Sequence, residues 1–330
     1  MNFERSDEQR AIAETARGLL AARGSADGLW AELCELGWPG IAVAEEHGGQ
    51  GLGLLELAIL VEELGYACSS TPLLGTALAA IAIESAGSEE QAARLLPGFA
   101  DGSRLAALAL GDRPEMIPDA AADRIAVLCR SDGGAGTVHF GGAVEDAEAI
   151  DPGRRHGVVA AEPDEGEPLP GEVGTSLDRA AVIVAAELVG LCRRALDLTL
   201  AYVKERTQFG VPVGSFQAVQ HTAAGMLRAT EAAAVATESA AWIADNEPER
   251  LATAAAMAKA TASTAGREVT AAAIQLHGGI GFTWEAEPHW LYKRAQVDAA
   301  YLGGSGSHEA RLARAVAAEL IDQRRTDGTA

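Results

Sequence analysis

Three long stretches, residues 180–206, 216–246 and 249–276, repeat apolar residues at helical spacing with only short breaks between them. Alanine dominates their apolar positions; it is the best helix former and lets neighbouring helices approach closely. Long helices joined by short links close into an antiparallel bundle. Two shorter helical stretches, 291–302 and 307–320, follow. This bundle is the frame on which the rest of the chain has to pack.

Upstream, residues 1–102 read as helices with short breaks. Ser6-Asp7-Glu8 starts the first, and Ala16, Leu19 and Leu20 fall on one of its faces. Gly37 stops a second helix carrying Trp30, Leu33 and Leu36. A glycine-rich turn at 45–51 precedes a helix over 54–64, which Gly65 is expected to end. Pro72 opens another helix at Leu73, and Ser88-Glu89-Glu90 opens the last, expected to end at Pro97-Gly98. Between 103 and 172 the texture changes. Short apolar runs at 105–110, 125–129, 137–140 and 158–160, separated by Gly and Pro, read as strands, and 164–171 as an acidic linker. The expected architecture is mainly α with a small β domain. It comprises an N-terminal helical domain (1–102), a reduced middle β domain (103–172) and a C-terminal helical bundle (173–330).

Charge narrows the function classes. A formal net charge of −21 argues against a nucleic-acid partner, which needs a basic stripe. It argues equally against an anionic membrane surface. An anionic ligand would need cations placed locally. Cys34, Cys68, Cys129 and Cys192 are widely spaced with no paired histidine, so the expectation is buried reduced thiols and no metal. The charged N-terminus lacks an apolar leader core, and no apolar run reaches membrane-spanning length. A cytoplasmic protein is expected.

Three segments carry a more specific signal. The first runs Leu36-Gly37-Trp38, Glu46-His47-Gly48-Gly49-Gln50-Gly51-Leu52-Gly53 and Glu62-Glu63-Leu64-Gly65. The second, 202–220, contains Arg206-Thr207-Gln208-Phe209-Gly210 and Phe216-Gln217-x-x-Gln220. The third is 275–282, QLHGGIGF. Together, in this order, they resemble the acyl-CoA dehydrogenase family across nearly the whole chain. An arginine fork suits phosphate oxygens, and glycine admits close backbone approach. The resemblance implies that Arg206, Gln208, Phe209, Gln275, Gly278 and Gly279 reach across a subunit interface. There they would contact the pyrophosphate and adenosine of FAD held mainly by a neighbouring subunit.

The chain also departs from the family. Its reaction removes the α-proton of an acyl-CoA thioester with a carboxylate while the β-hydride passes to flavin. In most members the base is the Glu of a Tyr-Glu-Gly-Thr segment. The corresponding segment reads Tyr301-Leu302-Gly303-Gly304, and leucine accepts no proton. Asp298, one turn earlier, and Asp178, near the alternative base position of some members at about Ala180, are the remaining candidates. The flavin-ring motifs of the β domain are absent from 107–129, and no tryptophan occurs between Trp38 and Trp242. Short members with Gly281-Phe282-Thr283-Trp284-Glu285 followed by His289, Lys293 and Arg294 resemble one half of α2β2 assemblies. The other half supplies the catalytic carboxylate, and several such assemblies act on CoA thioesters of steroid side chains or ring fragments.

Other residues invite weaker readings. His221 and His277 lack a second metal ligand at helical spacing. Ser305, Ser307, His308 and Glu309 are contiguous, whereas triads assemble in space. Glu285 and Glu287 read as structural carboxylates near the interface. The resemblance implies FAD, an acyl-CoA substrate, an electron acceptor, and either a second acyl-CoA dehydrogenase-like subunit or a homo-oligomer. A self-sufficient dehydrogenase with a relocated base and a flavin-free scaffold of the same fold are the alternatives.

Overall fold

The computed structural model describes residues 5–23, 28–113, 115–161 and 165–327. Five helices come first: α1 (Asp7–Arg23), α2 (Leu29–Glu35), α3 (Leu54–Tyr66), α4 (Leu73–Ala86) and α5 (Glu89–Ala100). Ser6 begins α1 as expected, its Oγ accepting from the Gln9 N–H at 3.1 Å. At α5 the Ser88 Oγ accepts from the Gln91 N–H at 3.1 Å, and the Gln91 Oε1 accepts from the Ser88 N–H at 2.9 Å.

Two helix ends differ from expectation. Gly65 does not stop α3; it lets α3 press against the first bundle helix, α6 (Gly174–Glu205). A Cβ on Gly65 would lie 2.2 Å from the Glu187 carbonyl oxygen, and one on Gly190 2.0 Å from the Glu62 carbonyl oxygen. The paired glycines set the helix spacing. Pro97 likewise lies inside α5, in its last turn, where its missing N–H removes a single intrahelical bond.

The middle segment holds two small sheets. Strands β1 (Ala106–Leu110), β3 (Ile125–Cys129), β4 (Gly136–Phe140) and β7 (Glu167–Pro168) form one in that order, with β1 parallel to β3 and the other pairs antiparallel. Strands β2 (Ile117–Pro118), β6 (His156–Val159) and β5 (Val144–Asp146) form the other, all antiparallel. The stretch expected to be an acidic linker contributes β7; its first residue, Asp164, lies outside the described residues.

Helices α6, α7 (Gln217–Asn246), α8 (Leu251–His277) and α9 (Pro288–Ala300) make the bundle, and α10 (Ser305–Asp327) lies against α8. The α6–α7 link carries a hairpin, β8 (Thr207–Gln208) and β9 (Val211–Pro212). Of the cysteines, Cys129 and Cys192 are buried, but Cys34 and Cys68 are only half-buried, and all four are free thiols.

A buried ion cluster joins the three parts. The Arg154 guanidinium meets Glu187 on α6, Asp298 on α9 at 3.3 Å, and Asp119 at 3.6 Å. Arg294 on α9 meets Asp151 and, at 3.7 Å, Glu187. It also donates to the Ser69 carbonyl at 2.7 Å, while Asp119 accepts from the Gly75 N–H at 2.9 Å. Four carboxylates thus surround two guanidiniums away from water. Burial, followed by the like charge of Glu187, pushes the Asp298 carboxyl well above its ordinary range, with Arg154 opposing.

Candidate functional site

Two regions hold the FAD-contact candidates and the position of the usual base. The first is the bundle end where α6, α8 and the β8–β9 hairpin finish. Arg206 follows the last residue of α6 and is exposed. Among the described residues it pairs with no carboxylate; instead its Nη1–H donates to the Tyr202 hydroxyl at 2.5 Å. The Tyr202 hydroxyl donates to the His277 carbonyl at 3.2 Å, and its ring stacks on the His277 ring at 4.4 Å between centroids. His277 ends α8, and the turn Gly278–Phe282 follows directly. Gly278 has φ +68 and ψ −146, a conformation open only to glycine. A Cβ on Gly278 or Gly279 would meet nothing within 4 Å, so the turn offers an open backbone surface, linked through Tyr202 to a guanidinium that meets no carboxylate among the described residues.

Phe209 caps the hairpin, 93% exposed with φ +52, its ring edge-on to Phe216 at 6.3 Å. Gln208 and Gln275 are exposed as well. The structure therefore joins Arg206 to the glycine turn through Tyr202, with Gln208 and Phe209 next to Arg206 on the hairpin. Sequence reading named Arg206 but gave no role to Tyr202, although a spacing of one helical turn carried that signal.

The second region is a cleft of about 820 Å³ between the end of β1, the β3–β4 turn, the start of α6 and the start of α10. Leu302 lines it, in the left-handed region at φ +57. Its backbone is held on both sides. The Leu302 N–H donates to Glu115 Oε2 at 3.1 Å, and the His308 Nε2–H donates to the Leu302 carbonyl at 3.1 Å. Buried Tyr301 donates to the Leu108 carbonyl at 2.5 Å. Lys259 Nζ donates to the Asp298 carbonyl at 3.0 Å and to the Gly303 carbonyl at 3.3 Å. Burial lowers Lys259 to about 7, against the pull of Asp298. Burial also raises Glu115 to about 7, against its two backbone donors.

The carboxylate candidates separate. Asp298 has no exposed surface and belongs to the ion cluster, not to the cleft lining. Asp178 is buried behind Arg311, which itself lines the cleft and donates to it at 2.5 Å. The remaining motifs take structural places. Glu287 holds Arg194 with two hydrogen bonds of 2.6 and 2.7 Å, while Glu285 is exposed. His308 bonds to Leu302 and not to a serine, and burial, with Lys259 close by, lowers it to about 4. His221 is exposed, and His277 Nδ1–H donates to the Ala273 carbonyl at 2.7 Å. No metal-holding cluster occurs among the described residues, and none of their helices is long and apolar enough to cross a membrane.

Comparison with known proteins identifies the family. Residues 6–103 match the acyl-CoA dehydrogenase N-terminal domain, and residues 173–317 match the C-terminal domain. The chain is 39% identical to acyl-CoA dehydrogenase IpdE2 of Mycobacterium tuberculosis, covering 85% of this chain and 84% of that one. It is 36% identical to IpdE2 of Mycolicibacterium smegmatis, covering 90% of each. It superposes on the steroid ACAD Tcur3481-Tcur3483 G363A variant with a TM-score of 0.82 at 29% identity, over 96% of this chain and 99% of that one. The chain belongs to the acyl-CoA dehydrogenase family, whose members are FAD-dependent flavoproteins.

Proposed function

We propose that this chain is the subunit of a heteromeric acyl-CoA dehydrogenase that completes a FAD site on its partner, while the partner supplies the catalytic carboxylate. The observation that carries this reading is a contrast within one chain. The Arg206 and Gly278-Gly279 surface stands open, yet the base position is Leu302. In a chain of net charge −21, a guanidinium that meets no carboxylate among the described residues is available for a phosphate oxygen. Gly278 and Gly279 leave room for the ligand to approach the backbone of the turn closely. Gln208 and Gln275 are exposed, and Phe209 presents an apolar face. FAD, when bound, accepts the electrons removed in α,β-dehydrogenation. The residues of this chain bind and orient it and take no proton.

The heteromeric arrangement finds support in the two-component name of the Tcur3481-Tcur3483 steroid enzyme. We extend from it a substrate class of bulky CoA thioesters, such as those of steroid side chains. A second reading, self-sufficient catalysis, draws on Asp178, whose partner Arg311 lines the cleft. Arg206→Ala in the assembly formed with a co-expressed acyl-CoA dehydrogenase-like partner tests the proposal. Loss of bound FAD with the assembly intact is expected; full retention of FAD would refute it.

A further inference from the structure

We propose that Tyr202 is the positioning residue that couples the two separated halves of the FAD-contacting surface; this rests on the reading that Arg206 holds FAD. Arg206 and Gly278 follow the ends of different helices, α6 and α8, far apart in sequence. An exposed arginine on a flexible stem loses rotamer freedom when it engages an anion. Here that freedom is already restricted. The Arg206 Nη1–H is held by the Tyr202 hydroxyl at 2.5 Å, leaving the other guanidinium N–H groups for a ligand. The same hydroxyl donates to the His277 carbonyl at 3.2 Å, immediately before the glycine turn. One phenol therefore accepts from the cation and donates to the backbone that shapes the turn.

The ring is fixed as well. It stacks on His277 at 4.4 Å with 19° between planes, and His277 is anchored to Ala273 at 2.7 Å. The guanidinium carbon lies 5.6 Å from the Tyr202 ring centroid, so the ring also faces the cation. Tyr202 is half-buried and needs no contact with the flavin. It acts through Arg206 and through the position of Gly278.

The test is a double-mutant cycle on the FAD-bearing assembly as purified, with FAD dissociation followed by the rise in flavin fluorescence. Tyr202→Phe keeps the stacked ring and deletes only the hydroxyl. It should weaken FAD binding about ten-fold, the lower end of the scale for one lost hydrogen bond to a charged group. Arg206→Ala should weaken it more, and the double variant should lose less than the sum of the two single losses. A phenol that merely braced the fold would give additive losses. His277→Leu, which removes the stacking partner, should reproduce the Tyr202→Phe loss while native mass stays unchanged. Unchanged affinity in Tyr202→Phe, or additive losses in the cycle, would overturn the coupling. An Arg206→Ala assembly with unaltered FAD affinity would overturn the underlying reading of the site instead.

Discussion

Arg154→Met removes one of two guanidiniums from a cluster that holds four buried carboxylates. Arg154 touches Glu187, Asp298 and Asp119; Arg294 reaches only Asp151 and Glu187. The variant leaves Asp298 and Asp119 with no guanidinium while they stay buried. Removing one partner of a buried ion pair costs about 3–5 kcal/mol. Asp298 can relieve part of this by taking up a proton, because burial already raises its pKa in the folded chain. The expected loss is therefore about 3 kcal/mol, a fall in melting temperature on the order of 4 °C. The pH dependence has a fixed sign. A carboxyl whose folded pKa is raised contributes stability that is complete below its unfolded value and is lost as pH rises through the folded value. Without Arg154 the folded pKa of Asp298 rises further, so the deficit should shrink at pH 5.5 and widen at pH 8. Thermal melts of both proteins at the two pH values measure this. A deficit under about 1 kcal/mol, or one that grows on acidification, would refute the account of the cluster.

Two further substitutions probe the packing and the cleft. Gly65→Ala places a methyl where the nearest backbone oxygen is 2.2 Å away, so α3 and α6 have to separate. The expected cost is about 2–3 kcal/mol, read as a lowered urea midpoint at unchanged slope. Leu302→Glu returns a carboxylate to the cleft next to Glu115, which already bonds to that backbone. It should yield no acyl-CoA oxidation by the chain alone in a dye-reduction assay, because the flavin-ring motif is absent as well; turnover would show that Leu302 is the sole lesion.

Sequence alone showed the order of the main helices and the place of the strand-bearing middle segment, since the helical spacing in the bundle is long and the turn signals are strong; the short strands β2, β5, β7, β8 and β9 were not read. It misread Gly65 and Pro97 because local preference treats both as breakers. At Gly65 a tertiary contact, the close approach of Glu187, decides the outcome. The motif residues Arg206 and Gly278 were legible, but their connection was not: Tyr202 and His277 meet only when the ends of α6 and α8 come together. Asp298 looked like a candidate base from its spacing to Leu302. Its partner Arg154 lies 144 residues away, and no periodicity reports a pairing of that kind. Glu115 escaped notice for the same reason, since its contact with Leu302 spans 187 residues.

The central claim is that this chain contributes to a flavin site without owning a complete one. Flavin content, read from the visible spectrum of the chain purified alone and again after co-expression with its acyl-CoA dehydrogenase-like partner, tests it most directly. The account predicts little FAD and no dye reduction for the chain alone, and bound FAD with acyl-CoA turnover for the pair. Stoichiometric FAD and turnover in a homo-oligomer of this chain would contradict it.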